Sequence, residues 1–146
     1  MPTRTARTAW NGSLETGEGQ VELTSSKLAT FDVSFPKRAA DEADGSTSPE
    51  ELLAAAHSAC YAMQFSALLG AAGGTVEALD VKADVTLGPD PEGGFRLSGI
   101  ALTVRGEVSG IDAAAFAEAA AAAKASCPVS KALTGVEITL DAALEQ

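Results

Sequence analysis

The longest apolar stretch of the chain begins at Pro49 and runs to Leu69 without a helix breaker. Its leucines, alanines and aromatic residues occupy nearly every face of the predicted helix, and a helix that is apolar all round is a buried one. A capping box predicts its start, because Glu51 follows Ser48 by three positions and Pro49 takes the first helical position. The length approaches a membrane span, but polar residues interrupt the pattern, so we predict a central core helix and no membrane partner.

Strict alternation of apolar and polar positions follows this helix. Residues 76–87 place their apolar side chains on one face, which predicts a half-buried strand. The turn sequence GPDPEGG separates this strand from a second alternating run, residues 95–104, whose phase slips at Gly99. Such a slip is typical of a β-bulge, and the two runs together predict a hairpin.

Weaker patterns complete the predicted secondary structure. Short strands through Trp10, residues 21–23 and residues 31–35 are expected before a polar loop with the sequence KRAADEADGSTSPEE. Towards the C-terminus, Asp112 caps an alanine-rich helix, and residues 136–140 form a closing strand. Strands, a long helix, a hairpin, a second helix and a last strand are the content of an α+β protein.

Size and charge narrow the classes of function. At 146 residues the chain fits a single domain, residues 1–146. Ten basic and twenty acidic residues give a net charge of -10, which repels phosphate backbones and anionic membranes, so nucleic acid is not an expected partner. The opening MPTRTARTAW lacks the apolar run of a secretory signal, and we therefore expect a cytoplasmic protein.

Two cysteines, Cys60 and Cys127, are the candidate chemistry. In a cytoplasmic protein, cysteines are more often free, catalytic or redox-cycling than joined in a structural disulfide. Cys60 lies in the long apolar helix, whereas Cys127 precedes Pro128 and is the predicted N-cap of a helix, where the helix dipole favours a thiolate. The 67 positions between them, 127 minus 60, leave it to the fold to bring the two sulfurs together.

A buried Cys60 needs a cation to ionise near neutral pH, since burial raises the pKa of a thiol above its usual value of about 8.5. The candidates are Arg38, Lys37 and His57, which lies three residues before the cysteine, about one helical turn away. Glu50 lies ten residues before Cys60, close to three turns, and is placed to hold an arginine over the sulfur.

Three segments of the chain, TSPEELLAAAHSACYAM, CPVSKALTGVEITLD and the opening ARTAWNG, closely resemble the OsmC branch of the OsmC/Ohr family of organic hydroperoxide resistance proteins. The resemblance spans nearly the whole chain. It implies an OsmC-like fold, in which antiparallel sheets wrap around long central helices in an intertwined homodimer. It also implies a thiol peroxidase that acts in oxidative-stress defence and requires no cofactor or metal.

The same resemblance implies a role for each site residue. Cys60 is similar to the peroxidatic thiol, Cys127 to the resolving thiol, Arg38 to the activating arginine and Glu50 to the acid that orients it. The implied reaction converts an organic hydroperoxide, and more weakly hydrogen peroxide, to an alcohol or water through a Cys60 sulfenic acid. A disulfide with Cys127 follows, and an external thiol reductant of unknown identity reduces it.

Several alternatives remain open on the residues alone. Lys37 replaces Arg38 if the alignment slips by one position, and Glu51 exchanges roles with Glu50 in the same way. We leave His57 out of the catalytic set, because a lone histidine in an apolar helix is more often a satisfied core or interface residue.

Two other kinds of protein carry the same thiol pair. In one, both cysteines and the single histidine hold a soft metal ion, which requires a fourth ligand. In the other, a non-catalytic dimer of the same fold binds an apolar ligand and uses its cysteines as a redox-responsive clasp. Turnover separates this clasp from a peroxidase, because a clasp oxidises once and slowly.

Overall fold

A computed structural model describes residues 1–145 of the chain. By its internal contacts the chain divides into two compact units, Met1–Leu52 and Leu53–Gln146. The predicted single domain extends to Gln146, which lies outside the described residues. That prediction of one domain stays a prediction, and each unit is described by itself.

The first unit contains an antiparallel three-stranded sheet and a short helix. Its strands, in spatial as well as chain order, are β1 (Arg7–Asn11), β2 (Glu18–Glu22) and β3 (Thr30–Val33). The three short strands predicted for this region are confirmed, with bounds that differ by a few residues. Helix α1 (Phe35–Ala39) follows the third strand.

Helix α1 corrects the predicted extension of a strand to residue 35 and of a loop through residues 37–40. Ser34 caps the helix, because its hydroxyl accepts a hydrogen bond of 3.3 Å from the backbone N–H of Lys37. Pro36 lies in the first turn, where its missing N–H has no helical partner to lose. The local signal for a helix was therefore present, but five residues are too few to show an apolar period.

Helix α2 (Pro49–Ala71) is the predicted long helix, and it continues two residues past the expected end. Its start is confirmed, since the backbone N–H of Glu51 donates to the Ser48 hydroxyl at 3.1 Å. By length and composition alone, it is the one helix among residues 1–145 that is suited to cross a membrane.

Within the single chain, burial along α2 is confined to one face, and the prediction that the helix is covered on all sides stays a prediction. The fully buried positions recur every four residues, at His57, Tyr61, Phe65 and Leu69. Such a spacing marks one face of a helix. The opposite face is open to solvent in the single chain, and Met63 is 74% exposed there.

The second unit contains a long hairpin of β4 (Thr75–Pro89) and β5 (Phe95–Ser109). The predicted bulge is confirmed next to Gly99, because the register shifts between Thr86 and Leu87 and leaves Ser98 unpaired. The final strand, β6 (Ile138–Glu145), pairs with β5 in parallel. This sheet is consequently mixed, whereas the family resemblance implied antiparallel sheets.

Two helices connect β5 to β6. Helix α3 (Ala113–Ser126) begins after Asp112, whose carboxylate accepts a 2.8 Å hydrogen bond from the backbone N–H of Ala115 as predicted. Helix α4 (Pro128–Ala132) follows directly, with Cys127 as its N-cap. Two parallel strands run in the same direction, so the chain must cross back to the end of the sheet where β5 begins before β6 can start.

The core of the second unit lies among α2, α3 and the sheet. The Phe65 and Phe116 rings meet edge to face with centroids 5.0 Å apart, and Tyr61 packs against Phe65 at 5.5 Å. Gly106 on β5 lets the Phe116 ring approach, since a Cβ added there would lie 2.8 Å from the ring. Cys127 belongs to this core, and its sulfur is thereby held in a fixed place.

Candidate active site

The two thiols meet although 67 positions separate them in the chain. Cys60 on α2 and Cys127 at the start of α4 place their Sγ atoms 3.1 Å apart, and both cysteines are reduced. A disulfide bond has a length of about 2.0 Å. A movement of about 1 Å therefore joins the sulfurs, within the reach of side-chain adjustment.

Access to the two sulfurs differs. Cys127 is completely buried, whereas Cys60 is partly exposed. A dissolved oxidant consequently reaches Cys60 first. Cys127 is placed to react with its neighbour rather than with a molecule from solution.

The pKa values favour Cys127, rather than the more accessible Cys60, as the thiolate. Burial raises the pKa of Cys127, but the nearby Ser130 backbone N–H, Cys60 thiol, Ser130 hydroxyl and Val129 backbone N–H outweigh burial, and the pKa of Cys127 is lowered. The predicted stabilisation of a Cys127 thiolate is thus present. Burial raises the pKa of Cys60, and its neighbour Cys127 raises it further against one backbone N–H from Val129. None of these contributions to Cys60 is a cation, so the requirement predicted from the sequence still stands.

Arg38 and Glu50 form a forked ion pair in the first unit. The Arg38 Nε atom donates to both carboxylate oxygens at 3.1 Å, and its Nη2 atom donates to Oε1 at 2.7 Å. Glu50 is only 8% exposed. It lies in the first turn of α2, where a carboxylate is favoured by the positive end of the helix. The glutamate therefore holds the guanidinium in one orientation.

The neighbouring charges have partners of their own. The Lys37 Nζ atom lies 2.6 Å from Asp44 Oδ2, and this contact lowers the pKa of the exposed Asp44 carboxyl. The Glu51 carboxylate accepts a hydrogen bond from the Thr47 hydroxyl. Arg38 is therefore paired with Glu50, whereas Lys37 is paired with Asp44 and Glu51 with Thr47.

A largely apolar cavity of about 380 Å³ lies within the first unit. Arg38 forms part of its wall. Its other lining residues come from all three strands of the sheet and from the start of α2, and they include Trp10, Val21, Val33, Phe35 and Leu52. Only a few polar groups, Thr8 and Ser34 among them, line it, and the site is suited to a hydrocarbon group with one charged contact.

The hydrogen bond of His57 is made to Ser130 rather than to the cysteine that follows it by one turn. The His57 Nε2 atom lies 2.7 Å from the Ser130 hydroxyl oxygen, and both residues are buried. The sequence did not predict the contact of His57 with Ser130, although Ser130 lies within the CPVS motif. The one available signal was its position three residues after Cys127, which places it on the turn that begins there.

Burial lowers the pKa of His57, and this shift predicts loss of stability in acid. The unfolded chain binds a proton near pH 6.5, the usual pKa of histidine, and the folded chain resists it until a lower pH. The stabilisation is therefore complete above about pH 6.5 and is lost as the pH falls towards the folded pKa. We expect urea midpoints to fall over this range in the wild type and to change less in His57→Gln. An equal fall of the urea midpoint with pH in the wild type and in His57→Gln would contradict this prediction.

A metal site would need further ligands beside the thiols. Within residues 1–145, no group of three or more His, Cys, Asp and Glu side chains is arranged to hold an ion. The metal-binding alternative therefore has no structural support in this part of the chain.

Known proteins share both the sequence pattern and this fold. The family described as OsmC-like protein matches residues 41–141. Peroxiredoxin OsmC of Escherichia coli (strain K12) is 42% identical over 132 residues, which cover 90% of each chain.

Solved structures extend the similarity to the whole fold. An organic hydroperoxide resistance protein OsmC from Legionella pneumophila aligns with a TM-score of 0.77 at 28% identity over 97% of each chain. The organic hydroperoxide resistance protein OhrB of Bacillus subtilis aligns with a TM-score of 0.73 at 26% identity, over 94% of this chain and 97% of that one. With its paired thiols and its match over most of the chain, the protein belongs to the OsmC family and is a peroxidase.

Proposed function

We propose that this peroxidase reduces organic hydroperoxides to alcohols through a Cys60 sulfenic acid and a disulfide between Cys60 and Cys127. The observation that carries the proposal is the 3.1 Å contact between a partly exposed and a fully buried sulfur. The partly exposed Cys60 sulfur reacts with the substrate, and the buried Cys127 sulfur lies close enough to form the disulfide. The Legionella and Bacillus relatives are described as organic hydroperoxide resistance proteins, which supports this substrate class.

The first chemical step oxidises Cys60. Its thiolate attacks the distal oxygen of the hydroperoxide, a sulfur–oxygen bond forms, and the oxygen–oxygen bond breaks. The alkoxide leaves and takes a proton to become the alcohol. The sulfur is oxidised to a sulfenic acid by two electrons, which reduce the peroxide.

The second step closes the disulfide and prepares the third. The Cys127 thiolate attacks Cys60 Sγ, the sulfur–sulfur bond forms, and hydroxide leaves and is protonated to water. An external thiol reductant then breaks the disulfide by exchange and restores both thiols. Nothing in the charge of the chain selects this reductant, although a net charge of -10 disfavours an acidic partner at low salt.

The activating cation in this proposal is Arg38. An arginine stays protonated at every pH at which the protein folds, and its fork matches the carboxylate of Glu50. Glu50 is nearly buried, whereas the Arg38 side chain is 33% exposed, and the hydrogen bonds between them keep the guanidinium from adopting other orientations. A guanidinium near the Cys60 sulfur opposes the rise in pKa that burial imposes.

The apolar cavity beside Arg38 is the proposed place for the hydrocarbon part of the substrate. Each methylene buried there gains about 0.8 kcal/mol relative to water. Hydrogen peroxide has no such group and gains nothing from the cavity. The preference for organic hydroperoxides is therefore a packing effect.

Two matched substitutions in the cavity wall test this preference. Val33→Thr keeps the size and branching of the side chain and adds a hydroxyl, whereas Thr8→Val removes one. A hydroxyl in an apolar site costs about 1 kcal/mol, equivalent to about a fivefold change in binding. We expect the ratio of kcat/KM for cumene hydroperoxide to that for hydrogen peroxide to fall about fivefold in Val33→Thr and to rise in Thr8→Val.

The measurement is steady-state peroxide consumption with dithiothreitol as the reductant. Equal effects of Val33→Thr on both peroxides would indicate damage to the fold rather than to the cavity. An unchanged ratio in both variants would place the hydrocarbon group elsewhere.

The proposed assembly is a homodimer, and the proposed compartment is the cytoplasm. The solvent-exposed face of α2, which includes Met63, is apolar along much of its length. Exposed apolar faces of this kind are usually covered by another chain. We expect sedimentation equilibrium to give twice the chain mass, and a monomer at micromolar concentration would contradict this assignment.

A further inference from the structure

The buried pair of His57 and Ser130 has no role in the steps above. The ring nitrogen Nε2 lies 2.7 Å from the serine hydroxyl oxygen, across 73 positions of sequence. His57 is completely buried and Ser130 is 5% exposed. The second ring nitrogen, Nδ1, is buried and has no hydrogen-bond partner within residues 1–145. The hydrogen bond to Ser130 is therefore the polar contact within residues 1–145 that compensates for the burial of the imidazole ring.

The missing partner at Nδ1 indicates which ring nitrogen carries the proton. Burial keeps the ring neutral by lowering its pKa, so one nitrogen has a hydrogen and the other is bare. A buried N–H without an acceptor is rarer in proteins than an acceptor without a donor. The hydrogen therefore belongs on Nε2, which donates to the Ser130 oxygen and leaves Nδ1 bare.

This tautomer fixes the direction of the next hydrogen bond. The Ser130 oxygen already accepts from His57, and its own hydrogen is free to be donated. Ser130 is the third residue of α4, whose N-cap is Cys127, and the turn that joins them is closed by a 3.0 Å hydrogen bond from the Lys131 backbone N–H to the Cys127 carbonyl. A side chain at this helical position lies beside the N-cap residue, and the Ser130 hydroxyl is one of the groups that lower the pKa of the Cys127 thiol. The three residues thus form a chain of donors that runs from the imidazole to the sulfur.

Other groups also act on Cys127. The backbone N–H groups of Ser130 and Val129 lower the pKa of its thiol together with the Ser130 hydroxyl. From α2, the Cys60 sulfur lies 3.1 Å away, and the charge of Cys127 raises the pKa of Tyr61. The Tyr61 hydroxyl donates its hydrogen to the Ala120 carbonyl at 2.8 Å, and it is committed there. Cys60 is the reaction partner, and its thiol hydrogen is absent once it has become a sulfenic acid.

We propose that His57 and Ser130 are positioning residues that hold the Cys127 sulfur and stabilise its thiolate for attack on the Cys60 sulfenic acid. This inference rests on the proposed function, because it explains how the protein assists the second step of the proposed reaction. Neither residue gains or loses a proton in that step. The Cys127 proton leaves when the thiol ionises, and it balances the hydroxide that is released as water.

The first experiment measures the thiolate without any peroxide. In a Cys60→Ser background, the ultraviolet absorbance of the Cys127 thiolate is followed against pH. Ser130→Ala is expected to raise the pKa by about one unit, a tenfold change in the ionisation constant, because the thiolate loses a donor. Ser130→Thr retains the hydroxyl and is expected to restore the wild-type value.

The second experiment measures the resolving step in the chain that keeps both cysteines. After one equivalent of cumene hydroperoxide, intact mass follows the sulfenic acid and the disulfide in time. Ser130→Ala is expected to slow disulfide formation about tenfold near neutral pH, and the rate of Cys60 oxidation should stay unchanged. The defect should vanish at alkaline pH, where Cys127 is ionised without help.

A double variant separates this role from a structural one. Ser130→Ala leaves a buried Nε2–H without a partner and loses stability, whereas His57→Leu combined with Ser130→Ala removes both polar groups and recovers much of it. We expect the double variant to unfold near the wild-type urea midpoint and still to resolve slowly. Recovery of the resolving rate together with stability would overturn the proposal.

The matched control is Ser126→Ala. Ser126 also joins the two segments, since its hydroxyl accepts a 2.9 Å hydrogen bond from the Gln64 amide, but it does not contribute to the Cys127 pKa. Its loss should leave both the titration and the resolving rate unchanged. A tenfold slowing in this control would overturn the assignment to Ser130.

The outcomes also separate this inference from the proposed function. If the wild type forms no disulfide with peroxide, the proposed function fails, and the titration still tests the donor chain to Cys127. If the wild type forms the disulfide but Ser130→Ala changes neither the pKa nor the resolving rate, the peroxidase stands and this inference is wrong.

Discussion

Cys60→Ser is expected to lower the turnover of cumene hydroperoxide by roughly three orders of magnitude or more, because it removes the nucleophile of the proposed mechanism. Cys127→Ser should still release one equivalent of alcohol and then stop at a sulfenic acid that dimedone traps. The wild type should lose two hydrogens by intact mass after one equivalent of peroxide. Steady-state consumption with dithiothreitol completes the comparison.

The Cys60 and Cys127 variants also show whether solvent access or a low pKa determines which cysteine reacts first with the peroxide. Cys60 is the reachable sulfur, but Cys127 has the lowered pKa in the described chain. If Cys127→Ser abolishes the first oxidation and Cys60→Ser keeps it, acidity governs the order and the two roles are exchanged. A wild type that oxidises once without turnover would instead favour the redox-clasp alternative.

Arg38→Gln is expected to lower kcat/KM about a hundredfold at neutral pH. This result follows from the proposed role of Arg38 as the activating cation, because a cation beside an acidic group lowers the pKa of that group by about one to three units, and its loss would leave less of Cys60 ionised. The pH at which the rate reaches half of its maximum should therefore move upwards by about the same number of units. Arg38→Lys keeps the charge without the fork, and we expect an intermediate loss.

Lys37→Gln is the matched control for Arg38→Gln. The two positions are adjacent and carry the same charge, but Lys37 is paired with the exposed Asp44 rather than with Glu50. Its rate and its pH profile should stay close to wild type. A loss in Lys37→Gln that equals the loss in Arg38→Gln would return the assignment of the activating cation to the open alternatives.

Much of the fold follows from local patterns. The start of α2 depends on Ser48 and Glu51, the hairpin on the alternation of residues 76–87, and the bulge on one slip of phase beside Gly99. Each signal lies within a few residues, because hydrogen bonds in turns and caps are local. The short helix α1 escaped prediction for the same reason, since it has too few residues for a period.

The pairings within the candidate site needed more than such patterns. Spacing along the sequence left Arg38, Lys37 and His57 as candidate cations, and only the geometry shows that Glu50 holds Arg38 while Lys37 bonds to Asp44. The bond between His57 and Ser130 spans 73 positions, and no period of a helix or strand predicts it. Contacts of this range depend on how whole elements pack.

The sequence by itself determined the residue types, most of the helices and strands, and the family. Its two cysteines, the glutamate-led helix and the motif around Cys127 set the class of chemistry, because these features are read from neighbours in the chain. The tertiary structure decided which groups meet. It placed two sulfurs 3.1 Å apart and paired β6 in parallel with β5, since packing of the apolar faces, rather than local preference, selects partners that lie far apart in sequence.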